Sequence, residues 1–351
     1  LNDAEKIILD SIQSNEKIIR DLGCRTLESA LSINDMPFHF MCISISHLLF
    51  SETNLPSEGL INAVYSVIKS APQIRTLFTF AEPPIQRLAK DQSSVNFKLL
   101  VLSYRCTPSL FTEKEMNRIL SLFLSFISKK QIRKIALTSL GEIGFLSGDH
   151  LHQNHEESVK KLTAAIWPRN LNCDEAGFAL LSLISPNDEQ FVEQFMSILV
   201  LPLSQLLLEG IRKFFTNYKN TSFASLIRKW LIPLFTPILC NLEDNDKKHT
   251  LAAHALETMI FLQYENNDIT LSLLVHYSYL LTVDDVNLNE KMTELLLYFQ
   301  DTFPVLRFRL LSFISYSSFD ELRLSVLQKI SYSHDLCSVI KSFLNDRSPK
   351  L

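Results

Sequence analysis

The sequence predicts an all-α protein, built as a right-handed solenoid of stacked helical hairpins. Three observations support this fold class. Apolar residues recur at positions i, i+3, i+4 and i+7 in almost every segment, which is the period of a helix with one buried face. Glycine is scarce, with 7 residues in the whole chain, whereas β-hairpins and phosphate-binding loops need glycine for positive φ angles or close backbone approach. One local pattern also recurs at the spacing of a two-helix repeat.

The chain length bears on domain organisation. A single compact core stops growing at roughly 250–300 residues, and this chain has 351. It therefore forms either two globular domains or an elongated array whose core grows by repetition. We predict one α-solenoid domain over residues 1–351, with about 8–10 helical hairpins. Because the chain begins at Leu1 rather than Met, it is also compatible with a fragment of a longer protein.

Helix start signals punctuate the apolar segments. Thr112 and Glu115 form a capping box, in which each side chain pairs with the backbone N–H of the other, ahead of a helix over residues 113–128. The other predicted starts are Pro56 before residues 57–70, Asn187 before Asp188 and Glu189, Pro202 before residues 203–216, Asp244 or Asn245 before a helix ending near Tyr264, and Asp285. We expect about 18–20 helices joined by short loops.

A repeated pattern marks the second helix of several hairpins. It consists of an apolar residue and Arg, a small or apolar residue three positions after the Arg, and Leu or Ile seven positions after it. Full copies contain Arg20, Arg133 and Arg323, and degenerate copies have Asp174, His249 or Asn289 instead. Adjacent copies lie 41, 40 or 34 residues apart, the step of a two-helix solenoid unit. The positions expected to be buried are Gly23, Leu27, Ala136, Leu140, Gly177, Leu181, Ala252, Leu256, Val326 and Ile330.

Two stretches resemble a known superfamily. Residues 231–246 combine a proline-bearing helix with an acidic turn, and Ala252, Ala253 and Leu256 follow on a second helix. Residues 132–143, IRKIALTSLGEI, are similar to that second helix. The chain in these respects resembles the HEAT/armadillo repeat superfamily. The resemblance implies small residues where adjacent hairpins approach, an Arg that pairs with an acidic turn of a neighbouring unit, and a long concave surface suited to a helix or an extended peptide.

Composition excludes several classes of protein. The net charge of −4 and the pI near 6.2 create no global field that attracts nucleic acid. The six cysteines lie far apart, without a CxxC motif and mostly inside apolar runs. This usage indicates reduced thiols and a cytoplasmic and/or nuclear location. No apolar run reaches the roughly 18–20 residues of a membrane span, so we expect no membrane partner.

Catalytic motifs are absent from the sequence. It contains no GxSxG, HExxH, P-loop or GxGxxG motif. We therefore expect a protein that is not an enzyme, with no cofactor, no metal and no small-molecule substrate. The histidines at 150, 152 and 155 could converge on Zn²⁺ in a loop, but we interpret the polar segment 149–157 as a solvated loop between helices, with adventitious metal binding as the alternative. Asp284 and Asp285 are interpreted as a helix start, because adjacent helical residues face different directions.

These observations favour a non-catalytic protein–protein interaction scaffold or assembly factor within a larger cytosolic or nuclear complex. Its partner is expected to lie on the concave face as a helix or an extended peptide. The alternative is a nucleic-acid-associated scaffold, in chromatin or RNA processing, that uses lysine and arginine patches. Solvated helix ends explain those patches more simply. The candidate partner-binding residues are Arg133, Lys134, Lys247, Lys248, Trp230 and Arg323.

Two interpretations of the repeated arginines remain open. In the first, an exposed rim that partly lines the concave groove contains Arg133, Lys134, Glu142, Lys247, Lys248 and Arg323. In the second, Arg20, Arg133 and Arg323 hold neighbouring repeats together through a partly buried ion pair. Trp230 is likewise either an exposed binding hot spot beside basic residues or a packing residue at a helix junction.

Overall fold

A computed structural model describes most of the chain. It divides into two compact units, Leu1–Ser185 and Pro186–Leu351. The described residues are 3–14, 16–32, 39–50, 58–70, 72–78, 80, 83–167 and 173–185 in the first unit, and 194–195, 198, 203–218, 235–240, 242, 246–262 and 268–330 in the second. The single solenoid domain over residues 1–351 stays a prediction.

The prediction of an all-α protein is confirmed, since the described residues form helices and no strand. In the first unit the helices are α1 (Asp3–Ile12), α2 (Lys17–Ser32), α3 (His39–Phe50), α4 (Glu58–Ser70), α5 (Ile85–Lys90), α6 (Ser94–Cys106), α7 (Glu113–Ile127), α8 (Arg133–Ser147), α9 (Asp149–Ile166) and α10 (Asp174–Leu183). In the second they are α11 (Gln205–Asn217), α12 (Asp246–Leu262), α13 (Asp268–Tyr277), α14 (Val286–Phe299), α15 (Leu306–Tyr316) and α16 (Asp320–Lys329). Short 3₁₀ turns span Pro72–Leu77, Pro108–Leu110 and Ser278–Thr282.

Side-chain caps set several of these helix starts. The Thr112 hydroxyl accepts a hydrogen bond from the N–H of Glu115 at 3.4 Å, as the capping box predicts for α7. The Asp285 carboxylate accepts from the N–H of Leu288 at 2.9 Å and caps α14. Ser204 caps α11, which therefore begins two residues later than predicted. The remaining predicted starts lie outside the described residues: Pro56, Asn187, Pro202, Asp244 and Asn245.

In the first unit, the second helices of successive hairpins pack on one another, in the order α2, α4, α6, α8 and α10. The α7 helix packs on α9 in the same manner. Side-chain hydrogen bonds between these helices join residues at a nearly constant sequence separation. They link Ser66 to Glu28 over 38 residues, Lys98 to Asn62 over 36, Arg105 to Glu142 over 37, and His155 to Asn117 over 38.

Small residues bring α8 and α10 close together. A Cβ atom at Gly141 would overlap the ring of Phe178, and one at Gly144 would overlap the side chain of Ser182. No side chain larger than hydrogen fits at either position without displacing the facing helix. The expectation of small residues between adjacent hairpins is confirmed at this contact.

The second unit repeats the arrangement, because α11 contacts α12, α12 contacts α14, and α14 contacts α16. Thr236 and Tyr277 share a hydrogen bond of 2.7 Å across 41 residues. His249 on α12 lies 3.2 Å from the carboxylate of Asp285 across 36 residues. The separation of contacting residues thus stays close to that in the first unit.

The recurring apolar pattern also gave a correct list of core positions. All ten residues expected in the contact between repeats are buried. Leu27, Leu140 and Leu256 have no exposed surface at all. The apolar spacing in these helices therefore marks the side that faces neighbouring hairpins.

Candidate functional site

The repeated arginines bind backbone carbonyl groups at the ends of the preceding helices. Arg133 donates from Nε to the carbonyl of Ile127 at 2.7 Å, and Arg20 donates to the carbonyl of Ser14 at 2.8 Å. Ile127 is the last residue of α7, and its carbonyl lacks a partner within the helix, so Arg133 satisfies it; Ser14 lies two residues beyond the end of α1. These bonds lie within one hairpin, and they give the two arginines a structural role.

Arg323 corrects the expectation of an exposed rim. Its side chain is buried, with 7 % of the residue exposed. Its Nε donates to the carbonyl of Ile314 at 2.6 Å, and an amino group lies 3.2 Å from Asp320. The expectation was wrong because the guanidinium turns back onto the end of α15 instead of reaching into solvent. Arg323 is therefore not available as a surface contact.

Glu142, also expected on the exposed rim, is buried as well, with 7 % of the residue exposed. Its carboxylate lies 2.8 Å from the Arg105 guanidinium, which stands 5.3 Å from the ring centre of Tyr65. Three successive second helices, α4, α6 and α8, thus meet at one buried ion pair. A carboxylate in this position is compensated by its partner and serves the contact between hairpins.

The remaining predicted contact residues come from different parts of the chain. Lys134 is exposed and lies 3.5 Å from Glu175 of α10. Lys247 is exposed and Lys248 is half-buried at the start of α12 in the other unit. Trp230 lies outside the described residues.

The histidine-rich segment is helical, so its interpretation as a loop was wrong. Residues 149–157 form the first half of α9, which bends at His155. The bend buries His155, whose Nδ1 lies 2.9 Å from the amide oxygen of Asn117. Burial and then the nearby His150 hold the pKa of His155 below its usual value, whereas Glu113 opposes this shift. Among the described residues, no three metal-ligating side chains of His, Cys, Asp or Glu come together.

A groove of about 740 Å³ lies in the second unit, between the Ser278–Thr282 turn and α15. Its volume is typical of ligand sites, which span roughly 300–1,000 Å³. We call it the Tyr279–Tyr316 groove. The lining residues used below are Tyr279, Asp284, Arg309, Ser312, Tyr316 and Ser318.

Two of the tyrosines that line this groove are exposed to solvent. Tyr316, at the end of α15, is 87 % exposed. Tyr279 also lines the groove, and its hydroxyl donates to the carbonyl of Leu239, which holds the ring in place. Burial raises the pKa of Tyr279, so its hydroxyl keeps its proton. Tyrosine is among the residue types that contribute most of the binding energy at protein interfaces.

Two opposite charges line the same groove without a partner in the described part of the chain. Asp284 follows the 3₁₀ turn, and Arg309 lies on α15. Neither makes an ion pair or a side-chain hydrogen bond with another described residue. Arg307, on the same helix, instead pairs with Asp301 at 3.0 Å. The groove therefore offers a negative and a positive group to a ligand.

None of the five predicted partner-binding residues that the structure describes lines this groove. One local signal could have pointed to it. On α15 the residues Phe308, Ser312 and Tyr316 follow one another at intervals of four, and all three are exposed. A helix with aromatic residues on its solvent side as well as its core side is more apolar than burial in the core requires.

Comparisons with known proteins add no family to this picture. No protein-family model, no curated protein and no solved structure matches the chain. In the described part of the chain, every helix is too short or too polar to cross a bilayer.

Proposed function

We propose that this chain is a non-catalytic α-solenoid scaffold of the HEAT/armadillo type, which binds a segment of another protein in the Tyr279–Tyr316 groove. The proposal includes the right-handed superhelix and a role in assembling a larger cytosolic or nuclear complex. The observation that carries it is the groove itself, with exposed aromatic side chains and unpaired charges in a unit made of stacked helical hairpins.

The regular stacking supports the solenoid part of the proposal. Within each unit, the described hairpins contact one another through their second helices, and side-chain hydrogen bonds between them recur at separations of 36 to 41 residues. An array of this kind grows by local contacts and exposes long helical surfaces to partners. The cysteines Cys24, Cys42 and Cys106 carry free thiols, as expected for a reducing compartment.

The lysine patches give little support to the nucleic-acid alternative. Lys160 and Lys161 pair with Glu156 and Glu157 one turn earlier on α9. Lys134 has its own carboxylate on α10. Binding to a phosphate backbone needs basic side chains that are free to replace counterions. Paired lysines meet this need poorly, so we favour a protein partner.

Affinity purification from the source cells tests the proposal. The wild-type chain and a Tyr316→Ala variant would be used as baits, with quantitative mass spectrometry of the recovered proteins. Tyr298→Ala is the matched control, because Tyr298 is 47 % exposed and does not line the groove. We expect at least one protein that both wild type and Tyr298→Ala recover and that Tyr316→Ala loses. Recovery that is identical for all three baits would contradict the proposal, provided that all three unfold at the same temperature.

A further inference from the structure

We propose that the Tyr279–Tyr316 groove binds an extended peptide segment with one acidic and one basic side chain on either side of an apolar residue. The acidic side chain would meet Arg309, the basic side chain would meet Asp284, and the apolar residue would pack on the two tyrosines. The proposal rests on the scaffold function proposed above and adds the chemistry of the partner.

The charges of the groove select for a ligand with both signs. Arg309 and Asp284 line one cavity, yet they make no ion pair with each other or with another described residue. A ligand of one sign gains one attraction and meets one repulsion. A ligand with both signs gains two attractions, and charge complementarity of this kind sets orientation as well as specificity.

The same charges argue against a nucleic acid at this site. A phosphate backbone would be attracted by Arg309 and repelled by Asp284. Binding to nucleic acid relies on several basic side chains that together replace counterions. The described side chains that line the groove include one carboxylate, Asp284, and one guanidinium, Arg309. The tyrosine rings therefore serve an apolar side chain better than a stacked base between phosphates.

The hydroxyl groups of the groove favour an extended segment over a helix. Ser312, Ser318 and Tyr316 line the groove, and their hydroxyls make no hydrogen bond to a described residue. A helix satisfies nearly all its backbone groups internally, whereas an extended segment presents free N–H and C=O groups. The three hydroxyls can donate to and accept from such a backbone, since each hydroxyl carries one donor and two acceptor sites.

Selection from a phage-displayed library of random linear dodecapeptides tests this inference. The bait is the full chain. We expect the selected peptides to share Asp or Glu and Lys or Arg at a fixed spacing, with an aliphatic residue, an aromatic residue or proline between them. Proline at that central position should preserve binding, because an extended segment tolerates it and a helix does not.

Charge reversal in the groove provides the sharper test. Arg309→Glu should weaken binding of the selected peptides roughly tenfold or more, because it places like charges together. A selection against the Arg309→Glu variant should yield peptides with Lys or Arg in place of the acidic residue. A selection against Asp284→Lys should yield peptides with Asp or Glu in place of the basic residue. Lys329→Glu is the control: Lys329 is exposed on α16, lies outside the groove, and should leave both affinity and selection unchanged.

Several results would overturn the inference. The selection could yield no binders, or binders that share no charge pattern. The affinity of the selected peptides could rise when they are stapled into a helix. The charge-reversal variants could leave both the affinity and the selected sequences unchanged. Binding of a duplex oligonucleotide that depends on Arg309, in place of peptide binding, would do the same. If Tyr316→Ala still loses a cellular partner in these cases, the proposed scaffold function is retained and only the proposed charge pattern of the partner segment is contradicted. If no partner depends on Tyr316, both fail.

Discussion

Gly141 of α8 lies directly against the ring of Phe178 in α10, one hairpin further along the chain. A Cβ atom at Gly141 would overlap the ring and would approach the Cα atom of Ala179 at 3.3 Å. The ring is fully buried and also packs on Phe145, with 5.2 Å between ring centres. It therefore has no free space to move into, and the close approach of α8 and α10 depends on a glycine at this position.

Gly141→Ala should lower the free energy of unfolding by about 1–3 kcal/mol, because overpacking exceeds the gain in helix propensity. Gly59→Ala is the matched control. A Cβ atom at Gly59 would meet its nearest neighbour, the Cys24 sulfur, at an ordinary 3.4 Å. That variant should be neutral or stabilised by up to about 1 kcal/mol. Urea unfolding followed by circular dichroism measures both, and equal stability of the two variants would refute the packing argument.

Apolar spacing in the sequence predicts many of the described helices and the sides of them that are buried. Leu140 and Leu256 were placed correctly because one periodic side of a helix must be removed from water. The helical segment 149–157 was missed because its polar composition suggested a loop. The apolar residues Leu151, Val159 and Leu162 indicate a helix, because their spacing places them on one side of it, and all three are buried.

The sequence does not predict the candidate groove, for a different reason. Tyr279 and Arg309 belong to separate helical segments, and no local pattern states that these segments face each other. Arg323 shows a related limit. The sequence placed it on the second helix of a hairpin, but a flexible side chain of that length reaches either solvent or a nearby carbonyl group. Tertiary packing decides between the two.

Arg133→Ala should lower the free energy of unfolding by about 1–3 kcal/mol, since it removes a charged donor from the carbonyl of Ile127 at the end of α7. Lys134→Ala is a control at the next position. Lys134 is 75 % exposed in its side chain, and its ion pair with Glu175 is a surface pair, so its loss should change stability by less than about 0.5 kcal/mol. Chemical denaturation of both variants, side by side, decides whether the repeated arginine is structural. Equal losses of stability in the two variants would show that Arg133 has no special structural role.

The buried pair of Arg105 and Glu142 should behave as a unit. Glu142→Leu leaves the guanidinium uncompensated between α6 and α8 and should cost about 3–5 kcal/mol. Replacing both residues, as Arg105→Met with Glu142→Leu, should recover most of that loss, because no buried charge remains. A double-mutant cycle by thermal or urea unfolding gives the coupling energy. Additive effects of the two single changes would show that the pair contributes nothing as a pair.

His155 should make the first unit less stable in mild acid. Its folded pKa lies below the usual value of about 6.5, first because it is buried and second because His150 is near. As the pH falls below about 6.5, the unfolded chain takes up a proton at this site, whereas the folded chain does not. The free energy of unfolding therefore declines with falling pH, and the decline ends once the folded state is protonated as well.

His155→Gln keeps a polar side chain for Asn117 and removes the titration. Urea unfolding between pH 7.5 and pH 5 should show a smaller decline for this variant than for wild type, and NMR titration of the His155 ring should give a midpoint below that of an exposed histidine. Identical pH profiles for the two proteins would show that His155 does not couple protonation to folding.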